Sequence, residues 1–285
     1  MCKPAHSKPL AALLRLLRKC LGQFSRRTLG GISIDGGPGR SLLNDFQIHQ
    51  SILYALPGCP QELTTVIVPK CYAFIPNDYP GWQDGKVLVR FPPGYAACNT
   101  LITERIPPMS ESVRHRIIKK LCPQTATSLP EQIKADNKNY DCLVRPSLGR
   151  GKHGRGRSRL SFFSLRNYPL HLDQMEELGL RPQNYSSAMA KALAFLYWVA
   201  KIDANDIEFV LAPPSHNSTD RARFMSDFLG SYSLWILDSD CCRPMSLDDA
   251  GVERAARAFL RNDPFYPRPG RTKMEGSGNS SEPCS

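Results

Sequence analysis

One segment, residues 184–200 (NYSSAMAKALAFLYWVA), constrains the fold of this chain more than any other. It is rich in helix-forming residues and carries a single charged side chain, Lys191. A helix that is apolar nearly all round must be covered by other elements on most of its surface. The sequence therefore predicts a domain built around this helix, and 285 residues are enough for such a core.

The chain before this helix predicts strands and capped helices. The strand-like stretches are rich in β-branched and aromatic residues and closely spaced, which favours an antiparallel sheet; they cover residues 64–75, 86–91 and 99–106. Ser41 is placed to cap a helix over about residues 42–55, and Ser110 a helix ending near Lys120. His49 is predicted to be a packed or half-exposed residue of the first of these helices rather than a ligand.

Two strands and a helix are predicted after the buried helix. The strands cover residues 207–211 and 233–237, and the second is closed by Asp238. Ser246 with Asp249 three residues later predicts a capping box. The inner stripe of that final helix is predicted to consist of Val252, Ala255, Ala256 and Phe259. With the strand-rich portion before it, the chain reads as an α+β fold.

The net charge of +11 is concentrated in two segments without acidic residues, 1–34 and 143–160. Outside these segments the chain carries 24 basic and 26 acidic side chains, so the folded body is nearly neutral. The stretch Arg145–Arg159 has four glycines and no aromatic residue, which favours a solvated insertion. It could touch phosphates or acidic surfaces weakly, and so contact nucleic acid, through charge alone.

The first 34 residues predict a basic amphipathic helix, with leucines at positions 10, 13, 14, 17 and 21. Such a helix could dock on its own domain, lie on a membrane surface or act as a mitochondrial presequence. No apolar run is long enough to cross a bilayer, so no transmembrane segment is predicted. We expect an intracellular protein, cytoplasmic or nuclear, with a mitochondrial location as the alternative.

The ten cysteines do not predict a zinc site. The chain has no Cys-x-x-Cys pair and no closely spaced histidine pair, although tetrahedral zinc sites usually use such pairs. The adjacent Cys241 and Cys242 could form an ordinary disulfide only with strain. We therefore expect reduced, mostly buried thiols and less than one zinc per chain.

Several motifs resemble an uncharacterised fungal family, the domain of unknown function 3669, whose members are often labelled zinc finger protein. The motifs are SLRNYPLHLDQMEELG (residues 164–179), DIEFVLAP (206–213), LWILDSDCC (234–242) and FLRNDPFYPRP (259–269). The likeness continues more weakly through residues 41–122. The resemblance implies a filamentous-fungal origin and no established activity.

The order of the elements also resembles a protein-kinase-like fold, here degenerate, with two lobes and a truncated N-terminal sheet portion. In such enzymes a catalytic-loop Asp accepts the substrate proton, a metal ligand follows five residues later, and a second metal-binding Asp closes a nearby strand. The resemblance gives Asp203 the catalytic role and makes Glu208 and Asp238 Mg²⁺ ligands. Acids at strand ends are also common as simple caps or as partners of arginines.

The sequence departs from the kinase pattern in ways that bear on activity. It has no glycine-rich loop before a strand-borne lysine, no histidine immediately before Asp203, and Ser239-Asp240 after Asp238. We therefore expect a non-catalytic interaction module with an unknown protein partner and no required cofactor. A Mg-nucleotide-dependent phosphotransferase and a zinc- or nucleic-acid-binding regulator remain as alternatives.

The predicted organisation has five parts. A basic leader, partly helical or disordered, covers residues 1–40, and a smaller sheet-containing lobe covers 41–122. A basic Gly/Arg-rich insertion over 123–160 precedes a mainly helical C-terminal lobe over 161–269 and a disordered tail over 270–285.

Overall fold

The computed structural model describes residues 32–33, 41–85, 87–91, 94–123, 128–149, 163–215, 222–262 and 265–268. These residues form a mixed α+β fold with two β-sheets and six α-helices, which confirms the predicted α+β class. Within these ranges, no helix is both long enough and apolar enough to span a bilayer.

The smaller sheet is antiparallel and has three strands in the order β1-β3-β2. Its strands are β1 (Ile32–Ser33), β2 (Cys71–Ile75) and β3 (Thr100–Thr103). Helix α1 (Leu42–Ala55) packs against β2 and β3. The predicted cap of α1 is confirmed, since the Ser41 Oγ accepts a hydrogen bond from the Asn44 N–H at 3.3 Å.

The larger sheet has five strands in the order β5-β4-β6-β8-β7. They are β4 (Val144–Ser147), β5 (Tyr168–His171), β6 (Glu208–Ala212), β7 (Arg223–Ser226) and β8 (Gly230–Leu237). The pair β4 and β5 is parallel, and the other neighbours are antiparallel. The central strand β6 is buried except at Glu208, and residues 232–236 of its neighbour β8 are buried, so these segments form the middle of the core.

The remaining helices pack around this sheet, and they are α2 (Glu111–Leu121), α3 (Leu129–Ala135), α4 (Leu172–Glu177), α5 (Pro182–Ala194) and α6 (Asp249–Arg261). The helix predicted over residues 184–200 is present: α5 continues as a π-helical turn over Phe195–Val199, and both contribute to the main core. Its burial on most sides is not observed, because Ser187, Lys191 and Trp198 lie on an exposed face. The Ser110 cap is confirmed as well, because its Oγ accepts from the Val113 N–H at 3.4 Å.

The stretch 64–75, predicted as one strand, is divided between the two sheets. Ile67 forms a single bridge with β8, its N–H donating to Leu234 O at 2.8 Å and its carbonyl accepting from Ile236 N at 3.0 Å. Pro69, which has no N–H to donate, interrupts the pairing before β2 begins. This stretch therefore connects the small sheet to the large one.

The strand predicted over residues 86–91 is wrong. Residues Leu88–Arg90 form a 3₁₀ helix, and the side chains of Val87 and Phe91 are buried beside Trp82. The turn before it contains Gly85 with φ of 68°, a conformation that glycine adopts at no steric cost. The pattern KVLVRF of residues 86–91 fits a short helix as well as a strand, and packing beside the small sheet decides between them.

The final helix begins two residues later than predicted. Its cap is Asp248, whose Oδ1 accepts from the Gly251 N–H at 2.9 Å, and the Ser246 Oγ donates to that same carboxylate. The buried side of α6 is Gly251, Ala255 and Ala258, whereas Val252 is 46% exposed. A Cβ on Gly251 would lie 1.8 Å from the Ser246 carbonyl oxygen, so this close approach fixes which face of α6 points inward.

The basic segments are only partly within the described residues. Residues 144–147, assigned from composition to a solvated insertion, form β4 between β5 and β6, so that assignment is wrong for Arg145 and its neighbours. Likewise Ile32–Ser33 of the predicted leader pairs with β3. The predicted leader helix, residues 150–162 of the insertion and the tail lie outside the described residues.

Candidate functional site

Three segments meet around Cys242: the loop after α5, the turn after β8 and the N-terminal part of α1. The Asn44 amide donates to the carbonyls of Asp240 at 2.8 Å and Cys242 at 3.0 Å. On the other side the Asp203 N–H donates to Arg243 O at 3.0 Å. The side-chain amide of Asn44 and the backbone of Asp203 thus hold the 238–243 turn between the helix and the loop.

Asp203, the predicted catalytic base, is buried in this arrangement with 3% of its surface exposed. Its Oδ1 accepts hydrogen bonds from two backbone N–H groups, Arg243 at 2.8 Å and Asn205 at 3.2 Å. Together with the Asp203 N–H bond to Arg243 O, these contacts join the loop to the turn after β8. The carboxylate therefore acts as a structural clamp in this conformation.

Asp238, the predicted metal ligand at the end of β8, lies in a strained backbone conformation with φ of 63°. Three further non-glycine residues with positive φ lie in the loop after α5, at Lys201, Ala204 and Asp206. Each such conformation costs on the order of 1–3 kcal/mol and persists only where surrounding contacts impose it. Strain of this kind concentrates at functional sites, so its coincidence here marks the loop and turn as the candidate site.

Glu208, the other predicted metal ligand, is on β6, and its Oε1 forms an ion pair with Arg145 Nη1 of β4 at 2.6 Å. Only about a sixth of each side chain is exposed, 15% for Arg145 and 16% for Glu208. The Arg145 guanidinium also stacks on the Phe265 ring, 3.4 Å from the ring centroid. The role of Glu208 in this structure is thus to hold β4 against β6.

The structure brings two of the three predicted residues together around one thiol. Burial raises the pKa of Cys242 well above its ordinary value, and the negative charges of Asp203, Asp45 and Asp238 raise it further. The carboxylates of Asp203 and Asp238 therefore both influence the pKa of the Cys242 thiol. Glu208 lies one register position away, since it pairs across the sheet with Leu237, and its carboxylate faces Arg145.

Asp45 is a part of this site that was not singled out from the sequence. The Ser239 hydroxyl and N–H both donate to its Oδ1, the latter at 3.2 Å. Burial raises the pKa of Asp45 above its ordinary value, and the bonds from Ser239 offset part of that increase. Asp45 lies four residues before His49, a spacing that places both on one side of α1 and that could have indicated the pair.

His49 is half-buried, as predicted, and its Nε2 lies 2.7 Å from the Pro69 carbonyl oxygen. Burial lowers the pKa of His49, while the carbonyl of Pro69 and the charge of Asp45 act in the opposite direction. The helix α1 thus carries two half-buried titratable groups, Asp45 and His49, whose pKa values move toward each other.

These two groups predict opposite pH effects on the free energy of unfolding. Because the pKa of His49 is lowered in the folded state, its stabilising contribution is lost as the pH falls below the ordinary value of 6.5. Because the pKa of Asp45 is raised, its contribution decreases as the pH rises above 3.8. In urea unfolding between about pH 7.5 and about pH 5, His49→Gln should flatten the acid-side loss of stability.

The replacement Asp45→Asn should act on the opposite side of the pH profile. It should remove the decrease in the free energy of unfolding that occurs as the pH rises above 3.8. Each variant serves as the control for the other. Identical pH profiles for the two variants would contradict the assignment of these shifts to α1.

No metal centre is apparent in the described part of the chain, which contains no group of three or more His, Cys, Asp or Glu side chains that could hold an ion. Burial raises the pKa of Cys71 to about 11 and that of Cys142 to about 12. Zinc binds the thiolate form, so burial of these thiols disfavours them as ligands.

Part of this site lies in a segment that a protein-family model matches. Residues 234–278 match the model of DUF3669, the domain of unknown function 3669, whose description is zinc finger protein. The predicted resemblance to DUF3669 is confirmed. The DUF3669 match contains the end of β8, Asp238, Cys242 and α6, whereas Asp203 and Glu208 precede it. No curated protein and no solved structure matches the chain.

Proposed function

We propose that this protein is a non-catalytic interaction module on a degenerate, two-lobed, protein-kinase-like scaffold. The support for the scaffold is the order and meeting of its elements. A small antiparallel sheet with α1 precedes the buried helix α5, and the loop after α5 meets the turn after β8. Kinase-like folds place their catalytic loop and metal-binding strand end at this same meeting point.

The observation that carries the non-catalytic assignment is the internal use of the acidic side chains. Asp203 accepts two backbone N–H groups and is 3% exposed, although a general base must reach the substrate proton. Glu208 pairs with Arg145, a cation already supplied by the protein. No strand within the described residues contains a lysine, so none of these strands supplies the side chain that holds the nucleotide phosphates in kinases.

The partner in this proposal is a protein with an acidic surface, met by the basic leader and by the Arg/Gly-rich insertion beyond β4. Arg145 itself is unavailable for that contact, because it pairs with Glu208 and stacks on Phe265. The remaining basic residues of the insertion lie outside the described residues. We propose an intracellular location, cytoplasmic or nuclear with a mitochondrial one as the alternative, since the seven cysteines among the described residues are free thiols.

The family description raises zinc binding as an alternative. Cys122, Cys142 and Cys242 are buried, and burial raises the pKa of each thiol. A structural zinc site needs four deprotonated or neutral ligands at tetrahedral positions, which these separated thiols would reach only after a rearrangement. The interaction module is therefore the better supported function.

The experiment that separates module from phosphotransferase is thermal unfolding of the full chain with and without Mg²⁺ and ATP. A ligand that binds the folded state at 100 times its Kd stabilises it by about 2.7 kcal/mol. We expect no shift of Tm with ATP and Mg²⁺ together, and no transfer of labelled phosphate to the protein or to added acceptors.

The matched variant is Asp238→Asn, which keeps the shape of the side chain and removes its charge. If Mg²⁺ and ATP raise the Tm of the natural chain and Asp238→Asn abolishes that rise, the phosphotransferase alternative replaces the module. If the rise in Tm survives Asp238→Asn, the nucleotide binds elsewhere in the protein. That outcome would contradict Asp238 as a metal ligand and would also contradict a module that binds no nucleotide.

A further inference from the structure

The apolar face of helix α6 is wider than the part that the core covers. The buried residues of this helix are all small: Gly251, Ala255 and Ala258. Beside them, three apolar residues at four-residue spacing are exposed, and we call them the α6 ridge: Val252, Ala256 and Leu260. Val252 is 46% exposed and Leu260 62% exposed. Residues four apart form a continuous ridge on a helix, the element that packs against a second helix.

The described residues next to the α6 ridge leave it open. Phe259 belongs to the core side, since its ring centroid lies 5.3 Å from that of Tyr266. The Arg268 guanidinium lies 5.6 Å from the centroid of the Phe259 ring and donates to Leu260 O. The chain that follows α6 is therefore anchored at the backbone of Leu260, while the Leu260 side chain stays exposed. Contiguous exposed apolar surface of this kind marks a contact site.

The charged residues beside the α6 ridge are complementary to a second copy of the same helix. Asp249 and Glu253 lie in the first half of α6, and Arg257 and Arg261 lie in the second half. Two copies that cross antiparallel at Ala256 would place the acidic half of each against the basic half of the other. Glu253 of each copy would then face the partner's Arg257.

Arg254 is the basic residue of the first half, and it does not disturb this match. At 100° per residue it lies on the opposite side of α6 from Ala256, and its Nη1 donates to Pro244 O at 3.1 Å. It is therefore held toward the loop before the helix.

The helix dipole does not account for the order of Glu253 and Arg257. The dipole acts on charges within the first and last turns, and these two residues lie between those turns. They form an exposed ion pair at 3.0 Å within the helix, in which Glu253 is 64% and Arg257 60% exposed. Both charges therefore remain accessible to a partner helix.

Ala256 is the small residue at the middle of the α6 ridge. A small side chain at the crossing point lets two helix axes approach to about 8–10 Å. Val252 of each copy can then pack against the partner's Leu260. We propose that α6 is a self-association surface, on which a second copy of this chain packs antiparallel across Ala256.

One ridge covers less than the about 800 Å² per partner of a standard interface, so the dimer is weak. We expect a dissociation constant on the order of 10–100 μM. This proposal goes beyond the interaction with an acidic partner, because the dimer requires neither that partner nor the basic insertion.

Sedimentation velocity of the full chain tests the proposal, at protein concentrations from about 5 μM to about 300 μM, which bracket the expected constant. A reducing buffer excludes dimers linked by disulfides. We expect the monomer to convert to a dimer across this range. Leu260→Glu should weaken association at least roughly tenfold, because it places a carboxylate in the apolar contact. Met225→Glu is the matched control, since Met225 is 73% exposed on β7, away from α6, and should leave the dimer unchanged.

Charge exchange tests the antiparallel arrangement. Glu253→Lys and Arg257→Glu should each weaken self-association, because each places like charges opposite one another. An equimolar mixture of these two variants should associate more tightly than either alone, since both contacts across the axis then join opposite charges. The double variant should recover most of the self-association of the natural chain for the same reason.

A natural chain that stays monomeric up to the highest concentration would overturn the proposal. So would a dimer that Leu260→Glu and Met225→Glu affect equally, because it would form through another surface. A mixture that associates no better than its components would contradict the antiparallel crossing at Ala256. These measurements contain no nucleotide and no partner protein, so they are independent of the test of the proposed function.

Discussion

Replacing Arg145 with methionine is expected to reduce the free energy of unfolding by about 3–5 kcal/mol. Methionine fills much of the same volume and can still pack on Phe265, but the Glu208 carboxylate loses its ion pair with Arg145. Both side chains are mostly buried, so water replaces the lost ion pair only in part. Loss of the counter-charge of a mostly buried carboxylate is among the largest effects that one substitution can produce. Urea unfolding of the full chain measures this change.

A second substitution distinguishes the loss of the pair from the loss of packing. Adding Glu208→Gln to Arg145→Met removes the negative charge that Arg145 had balanced, so we expect it to recover most of the lost stability. The control is Arg257→Met, which breaks the exposed pair with Glu253 on α6 and should cost no more than about 0.5 kcal/mol. If Arg145→Met is as mild as Arg257→Met, the pair does not hold β4 against β6.

Replacing Asp203 with alanine is expected to cost about 2–4 kcal/mol. The N–H groups of Arg243 and Asn205 would lose their acceptor, and the loop after α5 would separate from the turn after β8. The replacement Asp203→Asn keeps an acceptor oxygen at the same place and should cost much less. A catalytic base would show a different pattern, because its removal affects reaction rate and often leaves the stability unchanged.

The matched control for Asp203→Ala is Asp227→Ala, an exposed aspartate in the turn between β7 and β8, expected within about 0.5 kcal/mol of the natural chain. Chemical unfolding monitored by tryptophan fluorescence gives all three values. Equal stability of Asp203→Ala and Asp227→Ala would contradict the structural role of Asp203. The catalytic role of Asp203 would then be the better explanation.

The helices that the sequence predicted correctly depend on local interactions. Ser41 and Ser110 each cap a helix through a hydrogen bond to a backbone N–H three residues away. The contribution of α5 to the core follows from its apolar residues, of which Tyr185, Met189 and Leu193 are buried on one face. Such features are readable from a few neighbouring residues.

The sequence-based predictions that were wrong share one cause: contacts between residues far apart in the chain decided the local structure. Composition assigned Arg145 to a solvated loop, but a partner 63 positions later in the chain, Glu208, makes its burial favourable. The alternating pattern of residues 86–91 fits a strand and a short helix, and the space beside Trp82 selects the helix. Ser246 and Asp248 are both good caps, and the close contact of Gly251 with Ser246 selects Asp248.

The candidate site shows the same division. The sequence by itself determined that acidic residues follow the buried helix and the last strand, since these positions lie next to elements with clear patterns. Only the tertiary structure brought Asp203, Asp238 and Asp45 around Cys242, and only it paired Glu208 with Arg145. The physical reason is that a side chain's charge and hydrogen bonds act over a few ångströms in space, whereas a sequence pattern reports neighbours along the chain.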